Sequence, residues 1–435
     1  MAQKKVFVTN NSLCERRVLD AARLVRYFKT NGCLLVAHPG EADYLIFVSC
    51  AVDRPKEEQC FKIIEQLRSF PGELIITGCL GDIAPTRFRK VFSGRYIAAK
   101  DVGSIGDMFD SFSVSFSDIP EVNSTTEEFI PSPFQLVGSN KVISVALRFI
   151  GEFEPSWEFA RRCAAYAAEL GRDITGKGCR SLRRMFLRPG QDSKNRDVSR
   201  GLVRISTGCL GNCTYCSFRK AIGPLTSKPI EVCLDEYQRC LARGYRKIDF
   251  VGSDVGAYGL DRASSLPELL RAFAGVENGR RPTWVLWDFN PVWAIKYKDT
   301  LLEFIRQGRI GTIWCSVESG SSRILGLMKR YADVERIILT LNEFKQADPK
   351  LSLHTDIIVG FPTETDDDFD ASLDMIRRAG FTFVSLFAYH DAESAAASRL
   401  DGKISEAVIR RRLHKAISFH KRHRIQHHYS KLKKA

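Results

Sequence analysis

The chain has 435 residues, 44% hydrophobic and 27% charged, which is the balance of an ordinary globular protein and the length of two or three domains. That excludes a disordered chain and a collagen-like repeat, and no window approaches about 18 uninterrupted apolar residues, so no membrane span is expected. The net charge of +14 sits in two segments, residues 403–435 with 11 Lys and Arg against one acid and residues 161–204 with 12 against 4. Such segments face a polyanion or form a solvated, charge-rich helix.

The N-terminus runs straight into the strand-like Val6-Phe7-Val8 with no apolar leader, so a cytoplasmic location is expected. Lys5–Thr9, Tyr44–Ser49 and Leu74–Thr77 read as buried strands, with amphipathic helices over Val18–Thr30 and Glu57–Phe70 between them. Strands alternating with helices predict a mainly parallel α/β sheet in residues 1–110. From Phe109 the pattern weakens into Ser, Thr, Pro and acidic residues, so 111–200 reads as linker and basic insertion, with one helix at Glu158–Leu170 closed by Gly171. Alternation resumes at Leu202. Six strand candidates follow within 201–400: Leu202–Ser206, Lys247–Val251, Thr283–Trp287, Thr312–Val317, Leu353–Val359 and Phe383–Tyr389. They predict a partial (β/α)6 barrel, since a full eight-unit barrel takes about 250 residues. Residues 401–435 read as one basic C-terminal helix, capped by Ser405, with Ile409, Leu413 and Ile417 along its apolar face.

The 13 cysteines decide the chemistry. In a reducing compartment structural disulfides are disfavoured, so spacing separates ligands from packing residues. Cys209, Cys213 and Cys216 leave the end of a predicted strand on one loop. Three thiolates around one centre differ from a structural zinc site, which closes with four ligands; in a four-iron cluster they leave one iron open. The spacing, with Tyr215 just before the last cysteine, resembles the radical S-adenosylmethionine superfamily. The resemblance implies a [4Fe-4S] cluster whose open iron chelates the methionine moiety of S-adenosylmethionine. Its reductive cleavage, fed by an external donor of flavodoxin or ferredoxin type, gives a radical that abstracts a substrate hydrogen.

Cys14, Cys50 and Cys79 are far apart in sequence, yet each follows an N-terminal strand. In a parallel sheet the carboxyl ends share one edge, so these thiols either converge there or are scattered core cysteines. Val48-Ser-Cys50-Ala-Val-Asp-Arg-Pro-Lys-Glu-Glu-Gln59 and Thr77-Gly-Cys79-Leu resemble the N-terminal domain of the methylthiotransferases, and Asn10-Asn-Ser-Leu-Cys14-Glu is a looser match. In the barrel, Gly223–Pro229, Gly252–Gly259, Ser316–Ser321 with Met328-Lys-Arg330, and Thr355–Glu364 match that family in order. The resemblance covers about residues 5–100 and 201–430. It implies a second [4Fe-4S] cluster on Cys14, Cys50 and Cys79 that delivers sulfur, and replacement of C–H by C–SCH3. It also implies that Tyr215, Ser316, Glu318, Arg330, Asp356 and Gly360 contact S-adenosylmethionine or substrate, with Glu318 and Asp356 nearest the chemistry. Glu318 stands where many relatives have Gln.

The favoured substrate is an adenosine in tRNA, from family frequency and the basic segments. The sequence after Lys421 holds no pattern for the family's TRAM RNA-binding barrel, which favours a peptide, protein side chain or small molecule instead; Tyr389–Ser398 differs from the family's Pro/Gly-rich stretch near the active-site mouth, a departure that bears on substrate recognition rather than on the chemistry. Sulfur insertion without methylation is a second reading. A non-catalytic iron–sulfur or zinc nucleic-acid-binding protein is a third, separated from an enzyme by metal analysis. The six histidines from His390 to His428 lie among like charges and read as solvated rather than metal-binding.

Overall fold

The computed structural model describes residues 3–11, 14–125, 127, 128, 130, 131, 200–277, 279 and 281–429. The expected helix at 158–170, Gly171 and the basic stretch 176–199 lie outside these residues.

The N-terminal unit is a five-stranded parallel sheet of β1 (Lys5–Asn10), β2 (Leu34–Leu35), β3 (Tyr44–Ser49), β4 (Glu73–Gly78) and β5 (Arg95–Ala98), in the order β2-β1-β3-β4-β5. The middle strands are near-continuous apolar runs because both faces are covered. Phe7, Leu45, Phe47 and Ile76 pack with Phe61 and Ile64 of the Arg54–Leu67 helix. Val6, Val8, Ile46, Val48 and Ile75 pack with Ala21, Leu24 and Phe28 of the Glu15–Thr30 helix. The stretch after Phe109 is not a free linker where it is described: Phe109, Phe116 and Ile119 belong to this second core. Its Ser and Thr content hid aromatic anchors spaced too irregularly to read as a helix or strand.

The second unit begins with β6 (Arg200–Arg204) and a short antiparallel pair, β7 (Ser206–Thr207) and β8 (Thr226–Ser227). It continues through β9 (Lys247–Val251), β10 (Thr283–Phe289), β11 (Ile310–Cys315), β12 (Ser352–Val359), β13 (Phe383–Ala388) and β14 (Gln426–Tyr429). Seven of these form one parallel sheet, ordered β14-β13-β12-β11-β10-β9-β6. The barrel is open, as expected, but it has seven strands rather than six. The C-terminal segment is not a single helix. The helix spans Glu406–Arg422, capped by Ser405, and Arg424 at φ +56° turns the chain into β14, which pairs with Phe383–Leu386. Gln-His-His-Tyr has no apolar alternation, because this edge strand is mostly exposed, and its polar composition concealed it.

The helix's charge is also not a free basic face. Arg411 and Arg412 bond Asp366, Lys415 bonds Asp370 at 2.5 Å, and Arg412 is buried against Glu364 at 2.8 Å. The acidic first turn of the Asp366–Arg378 helix takes up most of these cations. Among the described residues, no helix is long and apolar enough to cross a membrane.

Candidate functional site

The loop carrying Cys209, Cys213 and Cys216 is fixed by its backbone. The β7–β8 pair folds it over the carboxyl edge of the barrel sheet. Gly208 sits at φ +69°, and a Cβ there would lie 1.7 Å from the Pro224 carbonyl oxygen, so only glycine permits this approach. The Cys209 amide donates to the Gly223 carbonyl at 3.3 Å. Thr214 is tied by its amide to the Met328 carbonyl (3.1 Å), by its hydroxyl to the Leu327 carbonyl (2.8 Å), and by its carbonyl to the Ala397 amide (2.7 Å).

Behind the loop lies a polar network. The Tyr215 hydroxyl donates to Glu318 at 2.8 Å and accepts from Arg330 at 3.4 Å. The same Arg330 nitrogen is 3.6 Å from the Cys213 sulfur, and the other terminal nitrogen donates to the Ser316 carbonyl. Glu318 sits at φ +80°, a strained conformation for a residue with a side chain. A bridge to β12 holds it there: its amide donates to the Asp356 carbonyl at 2.9 Å and its carbonyl accepts from the Ile358 amide at 3.0 Å. The Asp356 carboxylate accepts from the Ser316 hydroxyl (2.6 Å) and the Trp314 indole (2.9 Å). Burial pushes the Glu318 carboxyl up to about 7, against the pull of Arg330, and that of Asp356 up to about 6.

The N-terminal cysteines sit where their strands end. Cys14 precedes the Glu15–Thr30 helix, Cys50 follows β3, and Cys79 follows β4 at the start of a short helix. Asn11 grips the Cys50 backbone from both sides, accepting from its amide at 2.8 Å and donating to its carbonyl at 2.9 Å. Gly78, at φ +107°, passes so close to Ser49 that a Cβ would lie 2.1 Å from its carbonyl oxygen. A hydrogen bond from Cys50, with Arg16 and Arg17 nearby, holds the Cys14 thiol well below its usual range, whereas burial pushes that of Cys79 up to about 11.

All six cysteines border one cavity of about 300 Å³, together with Tyr215, Ser316, Glu318, Arg330 and Asp356. The cavity lies between the carboxyl ends of the two sheets. Between the two units Arg16 bonds the Gly252 carbonyl at 2.7 Å and Asp288 at 2.5 Å, and Asp20 bonds Arg204 at 2.6 Å. Gly360 does not border the cavity. At φ +86° it makes room for Ile409, 2.3 Å from where its Cβ would be, and its amide donates to Glu364 at 2.7 Å. Sequence reasoning missed Arg16, Arg17, Asp254, Asp288 and Asn290, which also border the cavity. Asp254 lies inside the Gly252–Gly259 block; the others carry no signal of their own. Of the terminal histidines, His390 alone is among the cavity residues, 3.3 Å from Glu57. Five further cysteines, at 33, 60, 233, 240 and 315, are buried in the packing, while Cys163 and Cys179 lie outside the described residues.

A model of the Radical SAM superfamily matches residues 203–376, and one described as uncharacterized protein family UPF0004 matches residues 7–97, together more than half of the chain. The chain is 26% identical over 387 residues to the threonylcarbamoyladenosine tRNA methylthiotransferase MtaB of Thermotoga maritima, covering 87% of this chain and 74% of that protein. It is 24% identical over 411 residues to the ribosomal protein uS12 methylthiotransferase RimO of Alkalilimnicola ehrlichii (92% and 77%). It is 26% identical over 422 residues to the tRNA-2-methylthio-N(6)-dimethylallyladenosine synthase of Mycobacterium bovis (93% and 70%). The chain belongs to the radical S-adenosylmethionine methylthiotransferase family. Among solved structures, the radical S-adenosylmethionine methyltransferase TsrM from Kitasatospora setae superposes with a TM-score of 0.55 at 13% identity, over 88% of this chain and 72% of that one, which shows a shared fold.

Two [4Fe-4S] clusters and S-adenosylmethionine are the cofactors of a methylthiotransferase, and the residues present fit them. Each thiol triad would supply three ligands and leave a fourth iron open. Among the described residues no group of three His, Cys, Asp or Glu side chains is placed to hold a single metal ion; the thiols instead border a shared space. Three buried polar atoms of residues that border the cavity, Arg17 Nη1, Arg330 Nε and Asp254 Oδ1, have no hydrogen-bond partner among the described residues. Two free donors and an acceptor are what a polar occupant would satisfy.

Proposed function

We propose that this methylthiotransferase acts on an adenosine of tRNA, with the S-adenosylmethionine-binding cluster on Cys209, Cys213 and Cys216 and the sulfur-delivering cluster on Cys14, Cys50 and Cys79. The observation that carries this reading is the single cavity bordered by both triads, which lets radical generation and sulfur delivery meet at one substrate carbon. When bound, the clusters and S-adenosylmethionine supply the radical that opens a C–H bond and the sulfur and methyl group that close it as C–SCH3. An external donor of flavodoxin or ferredoxin type supplies the electrons.

The chain's own residues do the positioning. Arg330, held among Cys213, Tyr215 and Ser316, borders the cavity as the cation that would pair with a carboxylate. Glu318, Asp356 and Ser316 border the cavity and would offer acceptors and a hydroxyl to the amino and ribose groups, and Tyr215 would meet the adenine. Ile358, Phe387 and Ala388 give the cavity an apolar wall that limits water around a reactive intermediate.

The tRNA reading draws on the MtaB and dimethylallyladenosine synthase relatives and on exposed Lys421, Arg422 and Arg424 at the end of the terminal helix. A protein substrate is the second reading, favoured by the RimO relative, which covers 92% of the chain, and by the ion pairs that occupy the helix's other cations. Reconstituted enzyme given S-adenosylmethionine, reductant and sulfide should convert total tRNA to a product whose digested nucleosides include a methylthioadenosine. Unmodified tRNA together with a methylthio mass gain on a ribosomal protein would overturn the tRNA reading in favour of the second.

A further inference from the structure

Arg16 and Arg17 are neighbours that both border the cavity, yet their charges are disposed differently. Arg16 is spent on a clamp between the two units, bonding Asp288 at 2.5 Å and the Gly252 carbonyl at 2.7 Å. Arg17 has only a share of a carboxylate: Asp20 takes Arg17 Nη2 at 2.9 Å on one oxygen and Arg204 at 2.6 Å on the other. One carboxylate thus faces two guanidiniums. Arg17 is 7% exposed, and its Nη1 is buried without a hydrogen-bond partner among the described residues. A buried donor left unmade is costly, the more so on a charged group, so it marks a place where a partner belongs. The helix start fixes the position, because the Arg17 amide donates to the Cys14 carbonyl at 3.0 Å, one turn from the thiol. Arg17 borders the cavity that Cys14, Cys50 and Cys79 also border, and its charge lowers the Cys14 and Cys79 thiols.

We infer that Arg17 is a positioning residue for the N-terminal cluster, donating its free Nη1–H to a sulfur of that cluster and setting its reduction potential by its charge. The inference rests on the reading of Cys14, Cys50 and Cys79 as cluster ligands. A three-thiolate cluster carries net negative charge that grows on reduction. A desolvated cation and a hydrogen bond to sulfur therefore favour the reduced form and raise the potential. Arg16 also acts on Cys14, but its charge is offset by Asp288, and at Cys79 Arg17 has the larger influence of the two.

The test uses full-length protein with Cys209, Cys213 and Cys216 replaced by Ala, so that only the N-terminal cluster remains, reconstituted anaerobically and titrated by EPR against redox mediators. Arg17→Gln should shift the midpoint potential to more negative values, and Arg17→Lys, which keeps the charge but loses the planar fork, should shift it less. Far-UV circular dichroism and iron content identify any variant that fails to fold, and Arg17→Lys keeps the comparison valid if Arg17→Gln does. Equal potentials in the parent and in whichever variants fold would overturn the inference while leaving the cluster assignment standing. A parent that binds no iron–sulfur cluster would overturn the assignment, and the inference with it.

Discussion

Replacing Arg412 by Met tests whether the terminal helix is wired into the barrel or lies on it as a solvated basic face. The Arg412 side chain is 5% exposed and that of Glu364 1%, 2.8 Å apart. Arg412 also donates to the Glu364 carbonyl at 3.1 Å and to Asp366 at 2.9 Å. Met fills similar volume but leaves Glu364 buried with only the Gly360 amide as partner. Removing one member of a buried pair costs about 3–5 kcal/mol. At about 2–4 °C per kcal/mol for a unit of this size, the barrel's melting point should fall by roughly 6–20 °C. The loss should depend on pH. Burial already pushes the Glu364 carboxyl up from its ordinary 4.5 to about 7, and losing Arg412 raises it further. A carboxyl raised in the folded state contributes stability that is complete below its unfolded value and is lost as pH rises through the folded value. The deficit of Arg412→Met should therefore be smallest near about pH 5 and largest near about pH 8. Adding Glu364→Gln should remove that pH dependence. Thermal unfolding followed by circular dichroism at several pH values reads all three. A deficit below about 1 kcal/mol that does not vary with pH is what an exposed ion pair would give, and it would refute the buried wiring.

Gly208→Ala should prevent assembly of the barrel cluster, since its Cβ would sit inside the Pro224 carbonyl; loss of about half the iron with the N-terminal sheet intact is the expected result. Cys50→Ala or Cys79→Ala should abolish the methylthio product while leaving 5′-deoxyadenosine formation, read by liquid chromatography and mass spectrometry, because the barrel triad is untouched. For an RNA substrate, changing exposed Lys421, Arg422 and Arg424 to Gln should weaken tRNA binding and flatten its salt dependence by roughly 0.7–0.9 for each phosphate no longer neutralised. Deleting the whole terminus would confuse that measurement, because β14 would leave with it and expose the edge of β13.

What was legible in the sequence follows from which interactions are periodic or locally spaced. β1, β3 and β4 are buried on both faces and announce themselves as apolar runs, as do six of the seven barrel strands. β14 was not legible, because an exposed edge strand needs no apolar alternation. The packing role of Phe109–Ile119 was hidden because its aromatics anchor an irregular path. At the site, a short-range spacing exposed Cys209, Cys213 and Cys216. Cys14, Cys50 and Cys79 needed both the inference that parallel strands share a carboxyl edge and the resemblance to the methylthiotransferases; that they border one cavity with the barrel cysteines was not legible. Arg16, Arg17 and Asp288 were invisible because nothing local marks an interaction across 272 positions, as between Arg16 and Asp288. At Gly360 the positive φ makes room for Ile409, a packing role that the sequence did not reveal.

The measurement that bears most directly on two triads sharing one cavity is iron and sulfide content, with S-adenosylmethionine cleavage, in three anaerobically reconstituted proteins. The intact chain should bind about eight irons, four per cluster. The variant with Cys209, Cys213 and Cys216 changed to Ala should keep about half the iron and lose all cleavage, and the variant with Cys14, Cys50 and Cys79 changed should keep about half the iron and continue to cleave. Zinc in place of iron and sulfide, or cleavage that survives loss of the barrel triad, would contradict it.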